Sequence, residues 1–425
     1  MNILILSTFE KTGGAAIAAN RLLQALNKAG HDAKMLVRDK QTDDPNVVST
    51  NTSWGKRKLN FLRFVCERLV IFISNRFNRK DLFVVSLACT GANISKHPLV
   101  RNVDIIHIHW INQGFLSLKN IKQLINTGKP VVWTMHDFWA CGGICHIVAN
   151  SATCPETAGA CNRFTAKCGY CPFLQSRSKR DLSNRIFRQK QRLFNNSDIR
   201  FVGCSRWVAN MAKESALLRD ASVINIPNPI DTETFKPYNK SEMRKKFRLP
   251  FDKKLLIFAS AKVSDERKGI LYLLEACKRL TNNNIEVVII GGKIDDSQLN
   301  DIPLKINKLG YLDVADDIAS AYAACDVFVT PSLADNLPNT VMEAMACGIP
   351  CVGFNTGGIP EMIDHKENGY VAQYQNAEDL AHGICWTVFE TDYEQLSQNA
   401  RKKVMDCYSE TVVAQKYTEL YKTLN

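Results

Sequence analysis

Residues 335–361 read DNLPNTVMEAMACGIPCVGFNTGGIPE, and they follow a short apolar run, Val327–Thr330, that ends in Pro-Ser. The apolar run predicts a buried parallel strand. The residues after Pro338 are strong helix formers up to Gly348, where the helix should stop. A buried strand followed directly by a helix is the repeating unit of an α/β fold.

Two carboxylates, Asp335 and Glu343, flank the predicted start of this helix. Ligands of open α/β sheets bind at the carboxyl ends of strands, and a helix N-terminus favours phosphate. The amides expected to face such a ligand belong to Asn339, Thr340 and Val341. Glu343 can accept hydrogen bonds from the vicinal hydroxyls of a ribose, and Asp335 can reach a second polyol. Either acid alone would be read as a loop cap or a helix-face residue, but the combined pattern predicts a sugar-nucleotide site.

This pattern resembles the E-x7-E region of the family 4 retaining glycosyltransferases, and the resemblance extends over nearly the full chain. Their architecture is GT-B, in which two Rossmann-like doubly wound α/β domains face a cleft. The resemblance implies that Glu343 binds the nucleotide ribose and that Asp335 touches the donor sugar. The chain departs from the family at the first acid, where Asp replaces Glu.

Alternation of strands and helices predicts two domains. The predicted strands are 2–7, 33–37, 104–109, 131–135, 199–204 and 222–226 in the first domain, and 254–259, 286–290, 308–311, 327–330 and 350–354 in the second. We therefore expect an acceptor-side domain at 1–237 and a nucleotide-sugar-binding domain at 238–425, joined by a linker at 227–237. The resemblance implies that the last helix, near 409–423, crosses back to the first domain.

A glycine pair, Gly13 and Gly14, follows the first predicted strand and opens a helix. Small residues there let a substrate oxygen or phosphate approach backbone amides. The pair is neither a P-loop nor a dinucleotide-binding fingerprint, and taken alone it is a common turn. The resemblance implies that this loop lies against the donor diphosphate and the acceptor.

Cations are needed to neutralise a leaving nucleoside diphosphate. The end of the strand at 254–259 is followed by Lys262, Arg267 and Lys268. Related enzymes show an Arg, five intervening residues and then Lys-Gly; Lys268 matches that Lys, while Lys262 occupies the Arg position. A lysine cannot bind phosphate bidentately, so Arg267 is the expected substitute.

Histidine supplies the remaining reactive group of the first domain. His136 follows the buried strand at 131–135, and the resemblance places a histidine there beside the donor sugar. His107 and His109 share one face of the preceding strand, where His107 fits a core residue. Tyr311 and Leu312 would correspond to the loop that holds the nucleotide base through backbone groups.

A cysteine-rich insertion at about 141–172 holds six cysteines, including Cys154. The resemblance gives Cys145, Cys161, Cys168 and Cys171 as matching positions in related polysaccharide-pathway enzymes. Four thiolates bind Zn²⁺ tetrahedrally, so a structural zinc is the favoured reading; disulfide pairing and reduced packing cysteines are the alternatives. No cofactor is expected for catalysis, and the resemblance implies metal-independent transfer with retention of configuration.

The charge of the chain is uneven. Residues 1–237 carry 33 Lys and Arg against 16 Asp and Glu, a net charge of +17, whereas the remainder carries 21 against 26, a net charge of −5. Two basic segments with aromatic residues, 54–80 and 176–194, fit either an anionic membrane surface or helices that pack their apolar sides on a sheet. Nucleic acid is not expected as a partner, because no binding motif accompanies the charge.

Neither a signal peptide nor a membrane span is apparent, which predicts a cytoplasmic protein, peripheral on the inner face of the plasma membrane if the basic segments touch lipid. The expected partners are a nucleoside-diphosphate sugar and a glycan or polyprenyl-linked acceptor for surface polysaccharide. The alternatives are a sugar-nucleotide epimerase of the same fold and a basic, zinc-containing nucleic-acid-binding protein.

Overall fold

A computed structural model describes residues 1–79, 81–150, 160–176, 178–280, 284–292 and 302–424. Lys80, Cys154 and Arg177, which belong to predicted features, lie outside the described residues. The described chain separates into two compact units, one comprising Met1–Asn228 and the chain from Val413 onward, the other Pro229–Val412. The change of unit thus falls inside the predicted linker, before the boundary expected at 237.

The first unit contains a parallel sheet of seven strands in the part of the chain that the structure describes. These strands are β1 (Asn2–Phe9), β2 (Asp32–Asp39), β3 (Val47–Ser49), β4 (Ile105–Ile108), β5 (Val131–Met135), β6 (Arg200–Gly203) and β7 (Val223–Asn225). Their order is β3-β2-β1-β4-β5-β6-β7, a doubly wound arrangement. All six predicted strands are present, and the short edge strand β3 is additional.

Helices of the first unit lie between these strands. They are α1 (Gly14–Lys28), α2 (Trp54–Ser74), α3 (Pro98–Arg101), α4 (Leu118–Ile125), α5 (Leu182–Phe194) and α6 (Arg206–Glu214). In α5 the apolar residues Ile186, Phe187, Leu193 and Phe194 are buried, so in this second basic segment the apolar side packs in the core.

The second unit repeats the pattern with six described strands, all parallel, in the order β10-β9-β8-β11-β12-β13. They are β8 (Lys254–Ser260), β9 (Ile285–Gly291), β10 (Ile306–Gly310), β11 (Val327–Thr330), β12 (Cys351–Phe354) and β13 (Gly369–Ala372). The helices are α7 (Lys240–Phe247), α8 (Ile270–Arg279), α9 (Ala315–Ala323), α10 (Asn339–Ala346), α11 (Ile359–Met362), α12 (Ala377–Cys385) and α13 (Tyr393–Cys407). Two parallel α/β sheets confirm the predicted fold class.

The last helix, α14 (Glu410–Lys422), begins in the second unit and continues into the first. Its buried residues Val413, Ala414, Tyr417 and Tyr421 belong to the same core cluster as β1 and β2. Among the described residues, no helix has the length and apolarity to cross a membrane.

Candidate functional site

In the second unit, the predicted donor-binding residues all follow the carboxyl ends of strands. Lys262, Arg267 and Lys268 come after β8, Tyr311 and Leu312 after β10, and the segment 335–343 after β11. Because these strands are parallel, their carboxyl ends share one edge of the sheet. This edge is where α/β folds bind ligands.

Lys268 and Asp335 form an ion pair at this edge. The Lys268 Nζ lies 2.5 Å from the Asp335 Oδ2, and both side chains are only partly exposed. The other Asp335 oxygen accepts a hydrogen bond from the amide of Asn336 at 3.1 Å. The pair places a cation and a carboxylate side by side, although they are far apart in sequence.

The backbone around Gly269 explains how the two residues meet. Gly269 has φ +71°, and a Cβ added there would stand 1.8 Å from the carbonyl oxygen of Pro331. Only glycine permits this approach in this conformation. Just beside it, the amide of Leu333 donates to the carbonyl of Arg267 at 2.7 Å. The Lys-Gly element is therefore seated directly on the loop that carries Asp335.

A second glycine fixes the other side of that loop. Gly357 has φ +57°, and a Cβ there would lie 1.7 Å from the carbonyl oxygen of Asp335. The residue belongs to the Gly-Gly pair that follows β12. No role was predicted for Gly357 from the sequence, although a Gly-Gly pair at the end of a predicted strand was the available signal.

Helix α10 begins directly after Pro338, which provides no side-chain cap. Asn339 and Thr340 are half-buried at its start, and Glu343 is 7% exposed in its second turn. The amide of Val341 donates to the carbonyl of Pro338 at 3.1 Å. The Val341 amide is therefore already engaged in a tight first turn, and its predicted contact with a phosphate stays a prediction.

The guanidinium of Arg267 is already paired with a carboxylate of the protein. Its guanidinium makes a two-pronged contact with Asp265, with Nε 3.0 Å from Oδ1 and Nη2 2.6 Å from Oδ2. The hydrogen bond to Asp265 also raises the pKa of Arg267. If Arg267 binds phosphate in place of the missing arginine, as predicted, its guanidinium must exchange Asp265 for the phosphate. The Lys262 side chain is exposed.

Tyr311 and Leu312 lie beyond the irregular end of β10. The register of β10 against β9 shifts between Lys308 and Gly310. Tyr311 is exposed and Leu312 half-buried. Their backbone groups are therefore carried at the same strand edge, which is compatible with the predicted contact to a base.

In the first unit, His136 follows β5 and contacts a second histidine. Its Nε2 lies 2.8 Å from the Nδ1 of His109, and the rings stack with centroids 5.0 Å apart. Burial lowers the pKa of His136 to about 4 and holds the pKa of His109 well below its ordinary value. Both imidazoles are therefore neutral near pH 7, and the predicted contact of His136 with the donor sugar stays a prediction.

His107 is a core histidine, as its position on β4 suggested. It is fully buried, with Nδ1 2.7 Å from the hydroxyl of Tyr421 and Nε2 2.7 Å from that of Thr134. The Thr134 hydroxyl lies 2.8 Å from that of Tyr417. Burial lowers the pKa of His107 to about 3. This network ties α14 to the strand that precedes His136.

A further polar network, unforeseen in the sequence, surrounds Asp137. Its Oδ2 accepts hydrogen bonds from Trp110 Nε1 at 2.8 Å and lies 2.7 Å from His146 Nδ1. His146 Nε2 in turn lies 2.8 Å from Ser86 Oγ. Burial acts to raise the pKa of Asp137, but the His146 and Trp139 partners outweigh it and lower that pKa. The residue after His136 is thereby locked in place.

The glycine loop of the first unit is exposed. Gly13 has φ +88° and precedes α1, whose start has no side-chain cap. Gly14 is the first helical residue. The loop is anchored by Gln41, whose Oε1 accepts from the amide of Lys11 and the hydroxyl of Thr12, both at 3.0 Å. Both glycines are exposed at this helix start, and their predicted contact with the donor diphosphate and the acceptor stays a prediction.

Four cysteines of the insertion line one small cavity of the first unit. They are Cys145, Cys161, Cys168 and Cys171. Burial raises the pKa of Cys145 well above its ordinary value, and the other three thiols add to that rise. None of the fourteen described cysteines is in a disulfide, so disulfide pairing is not seen among them. The described residues contain no group of three or more side chains already arranged to hold a metal ion.

A buried lysine lies beside this cysteine cluster. Lys190 is fully buried; its Nζ donates to the carbonyls of Trp139 and, at 2.9 Å, Gly142, and sits 3.4 Å from the centre of the Trp139 ring. Burial lowers the pKa of Lys190 to about 7, and the neighbouring thiols oppose that effect. A cation at this point favours thiolates nearby.

Two family profiles match the chain. The one described as Glycosyltransferase Family 4 matches residues 12–234, and the one described as Glycosyl transferases group 1 matches residues 253–388. The chain is 26% identical over 207 residues to an Escherichia coli UDP-Gal:alpha-D-GlcNAc-diphosphoundecaprenol alpha-1,3-galactosyltransferase, covering 46% of this chain and 53% of that protein. It is 29% identical over 197 residues to a Campylobacter jejuni N,N'-diacetylbacillosaminyl-diphospho-undecaprenol alpha-1,3-N-acetylgalactosaminyltransferase, covering 45% and 52%. The chain spans about half the length of these relatives.

Solved structures resemble the fold over the whole chain. Sucrose-phosphate synthase from Thermosynechococcus elongatus has a TM-score of 0.68 at 18% identity, covering 100% of this chain and 98% of that one. Anabaena Alr3699/HepE in complex with UDP has a TM-score of 0.64 at 16% identity, covering 100% of both chains. These likenesses agree with the predicted GT-B fold.

Proposed function

This chain belongs to Glycosyltransferase Family 4, and from that premise we propose that it transfers a sugar from a nucleoside-diphosphate sugar to a glycan or lipid-linked acceptor in surface polysaccharide biosynthesis. The observation that carries the proposal is the Lys268–Asp335 pair at the carboxyl edge of the second sheet, next to the start of α10. Relatives named for transfer to diphosphoundecaprenol-linked sugars support a lipid-linked acceptor.

In this proposal, the residues of the second unit each contact a different part of the donor. The positive end of α10 and the Lys268 ammonium face the diphosphate and stabilise the charge that builds on it as the glycosidic bond breaks. Asp335, held by Lys268, accepts hydrogen bonds from the donor sugar. Glu343 accepts from the ribose hydroxyls, where a carboxylate binds vicinal hydroxyls well. In the first unit, and independently of these residues, His136 is proposed to offer a neutral imidazole to a sugar hydroxyl.

We propose that configuration is retained and that no divalent ion is required. The support is chemical: the amides of α10 and the cation Lys268 can neutralise a diphosphate. Product analysis by proton NMR would give the anomeric configuration, and the assay repeated with excess EDTA would show whether turnover persists. An inverted product, or a loss of turnover in EDTA that Mg²⁺ or Mn²⁺ restores and Zn²⁺ does not, would contradict the respective half of this proposal.

The donor site is tested by calorimetric titration of the protein with UDP, GDP and ADP. UDP is titrated first, because the Anabaena structure is described as a complex with UDP and the E. coli relative is named for transfer from UDP-Gal. Glu343→Gln should weaken binding about tenfold to a hundredfold, since a hydrogen bond to a charged group is worth about 1.5–3 kcal/mol. The matched control is Glu378→Gln, an exposed acid in the first turn of α12.

Failure of all three nucleotides to bind would contradict the transferase proposal, and equal loss in both variants would contradict the role of Glu343. Release of nucleoside diphosphate that requires a second sugar or lipid acceptor separates a transferase from an epimerase of the same fold. The enzyme is proposed to act in the cytoplasm, on the inner face of the plasma membrane, which fractionation of cells can test.

For the insertion we propose a structural zinc held by Cys145, Cys161, Cys168 and Cys171. The four thiols share one cavity of the first unit, and four cysteine thiolates are a typical tetrahedral ligand set of structural zinc sites. Because these side chains are not already arranged around a metal, the ion would draw them together. Metal analysis of the purified protein should give one zinc per chain, lost in Cys168→Ser and retained in the control Cys277→Ser, a buried thiol of the second unit.

A further inference from the structure

Helix α2 buries polar side chains and exposes apolar ones. Its buried residues are Asn60, Glu67, Arg68 and Ile71. Its exposed apolar residues include Phe61, Leu62, Val65, Leu69, Val70 and Ile73. These six recur at spacings of three and four, so they form one continuous face of the helix. A surface helix of an ordinary domain has the opposite distribution.

The inward side of α2 is held by specific polar contacts. Glu67 Oε1 accepts hydrogen bonds from the amides of Leu87 at 2.7 Å and Ala88 at 3.1 Å. Arg68 Nη1 donates to the carbonyl of Val85 at 2.9 Å. Rotating the helix to bury its apolar face would break these bonds and separate Glu67 and Arg68 from the backbone groups that they bind. The apolar face is therefore fixed toward solvent.

The charges that accompany this face have a single sign. Glu67 is the only acid between residues 54 and 79, and it is buried. The exposed cations are Lys56, Arg57 and Lys58 near the start of the helix and Arg76 and Arg79 beyond its end. Lys58 lies 3.6 Å from the centre of the Trp54 ring, which is itself 72% exposed. Aromatic and basic residues thus border an aliphatic centre.

We propose that α2 docks flat on an anionic phospholipid bilayer, with its apolar face at the boundary of headgroups and acyl chains and its cations on the headgroups. This is the pattern of a helix that lies in a membrane interface. An anionic lipid surface is favoured over a protein partner because every exposed charge beside this face is a cation. This proposal rests on the proposed function only in the purpose that it gives α2, which is to hold the enzyme at a membrane that carries its lipid-linked acceptor.

The two basic segments of the sequence therefore differ. In α5 the apolar residues are buried, and its exposed cations Arg185 and Arg188 have no apolar face beside them. Only α2, among the described residues of these two segments, combines cations with an exposed apolar face. Sequence alone could not separate the two, since both mix basic residues with aliphatic and aromatic ones.

The test is flotation of the full chain with vesicles of phosphatidylcholine, with and without about one third phosphatidylglycerol, at low and high salt. Binding should require the anionic lipid and weaken with salt. Lys56→Glu/Lys58→Glu should lower binding about 25-fold or more, at about fivefold per cation removed. The double variant Phe61→Ser/Leu69→Ser should also abolish it, while the thermal unfolding midpoint stays unchanged because both residues are exposed.

Matched controls remove similar groups elsewhere. Phe251→Ser removes an aromatic residue that is 63% exposed, against 65% for Phe61. Arg185→Glu/Arg188→Glu reverses two exposed cations on α5. Both controls should float like the unmodified chain. Equal binding to neutral vesicles, or equal loss in the controls, would overturn the proposal.

The proposal is overturned if the unmodified chain does not bind vesicles and is instead a dimer that Phe61→Ser/Leu69→Ser converts to a monomer. The apolar face would then be an interface with a second copy of the chain. Failure here is distinguishable from failure of the proposed function. Nucleotide titration should be unaffected by the α2 variants, and Glu343→Gln should still bind vesicles.

Discussion

Gly269→Ala should destabilise the second unit more than the addition of a single methyl group suggests. The added Cβ would stand 1.8 Å from the carbonyl oxygen of Pro331, in a residue with φ +71°. The left-handed conformation costs a non-glycine residue about 1–2 kcal/mol. Relieving the overlap requires a backbone shift, comparable to overpacking at about 1–3 kcal/mol. The free energy of unfolding should therefore fall by about 2–5 kcal/mol.

The control is Gly310→Ala in the same unit. Gly310 has φ +74°, but a Cβ there meets nothing within 4 Å, so only the conformational cost applies. Urea unfolding of the two variants should differ by about 1–3 kcal/mol. If both variants lose the same free energy of unfolding, the close contact with Pro331 is not a constraint and the reasoning fails.

The same substitution should weaken donor binding, because Lys268 precedes Gly269 and reaches Asp335 from this backbone. Loss of a charge-assisted contact to the diphosphate is worth about 1.5–3 kcal/mol, which is about tenfold to a hundredfold in Kd. Titration with the nucleotide that binds the unmodified chain measures this. An unchanged Kd would mean that Lys268 is placed independently of the glycine contact.

Three further predictions concern stability. Asp326→Asn should cost about 3–5 kcal/mol in urea unfolding, because it leaves the buried Arg244, now 2.7 Å from Asp326, without its counter-ion; a loss below 1 kcal/mol would contradict this. Tyr421→Phe should cost about 1–3 kcal/mol by removing the partner of the buried His107 Nδ1, and an unchanged unfolding curve would argue against that bond. Acid should destabilise the first unit, because His107 has a pKa of about 3 in the folded protein and about 6.5 in the unfolded chain. Between these two pH values the unfolded chain binds one more proton than the folded protein. The free energy of unfolding therefore falls by about 1.4 kcal/mol for each unit by which the pH drops. His107→Gln should flatten this dependence, and parallel curves for both proteins would refute it.

Much of the fold was predictable because its strands are buried on both faces and read as apolar runs. Val131–Met135 and Val327–Thr330 occur at the predicted residues. The two strands that were missed, Val47–Ser49 and Gly369–Ala372, lie at sheet edges and are three and four residues long. Such short segments become strands by pairing with a neighbour, which local sequence does not encode.

The candidate site was predictable in its parts. Lys268, Asp335 and Glu343 each follow a strand or start a helix, and the parallel order of the strands brings such positions to one edge. The commitment of Arg267 to Asp265 and of the Val341 amide to Pro338 was not predictable, because each depends on a local turn geometry.

The sequence by itself determined the two α/β units, the residue types at the strand ends and the uneven charge, since these follow from apolar periodicity and composition. Tertiary structure alone decided which residues meet. It paired Lys268 with Asp335 through Gly269, set His136 against His109, and turned the apolar face of α2 outward while burying that of α5. The physical reason is that these contacts join residues distant in the chain, whose approach depends on packing rather than on local preference.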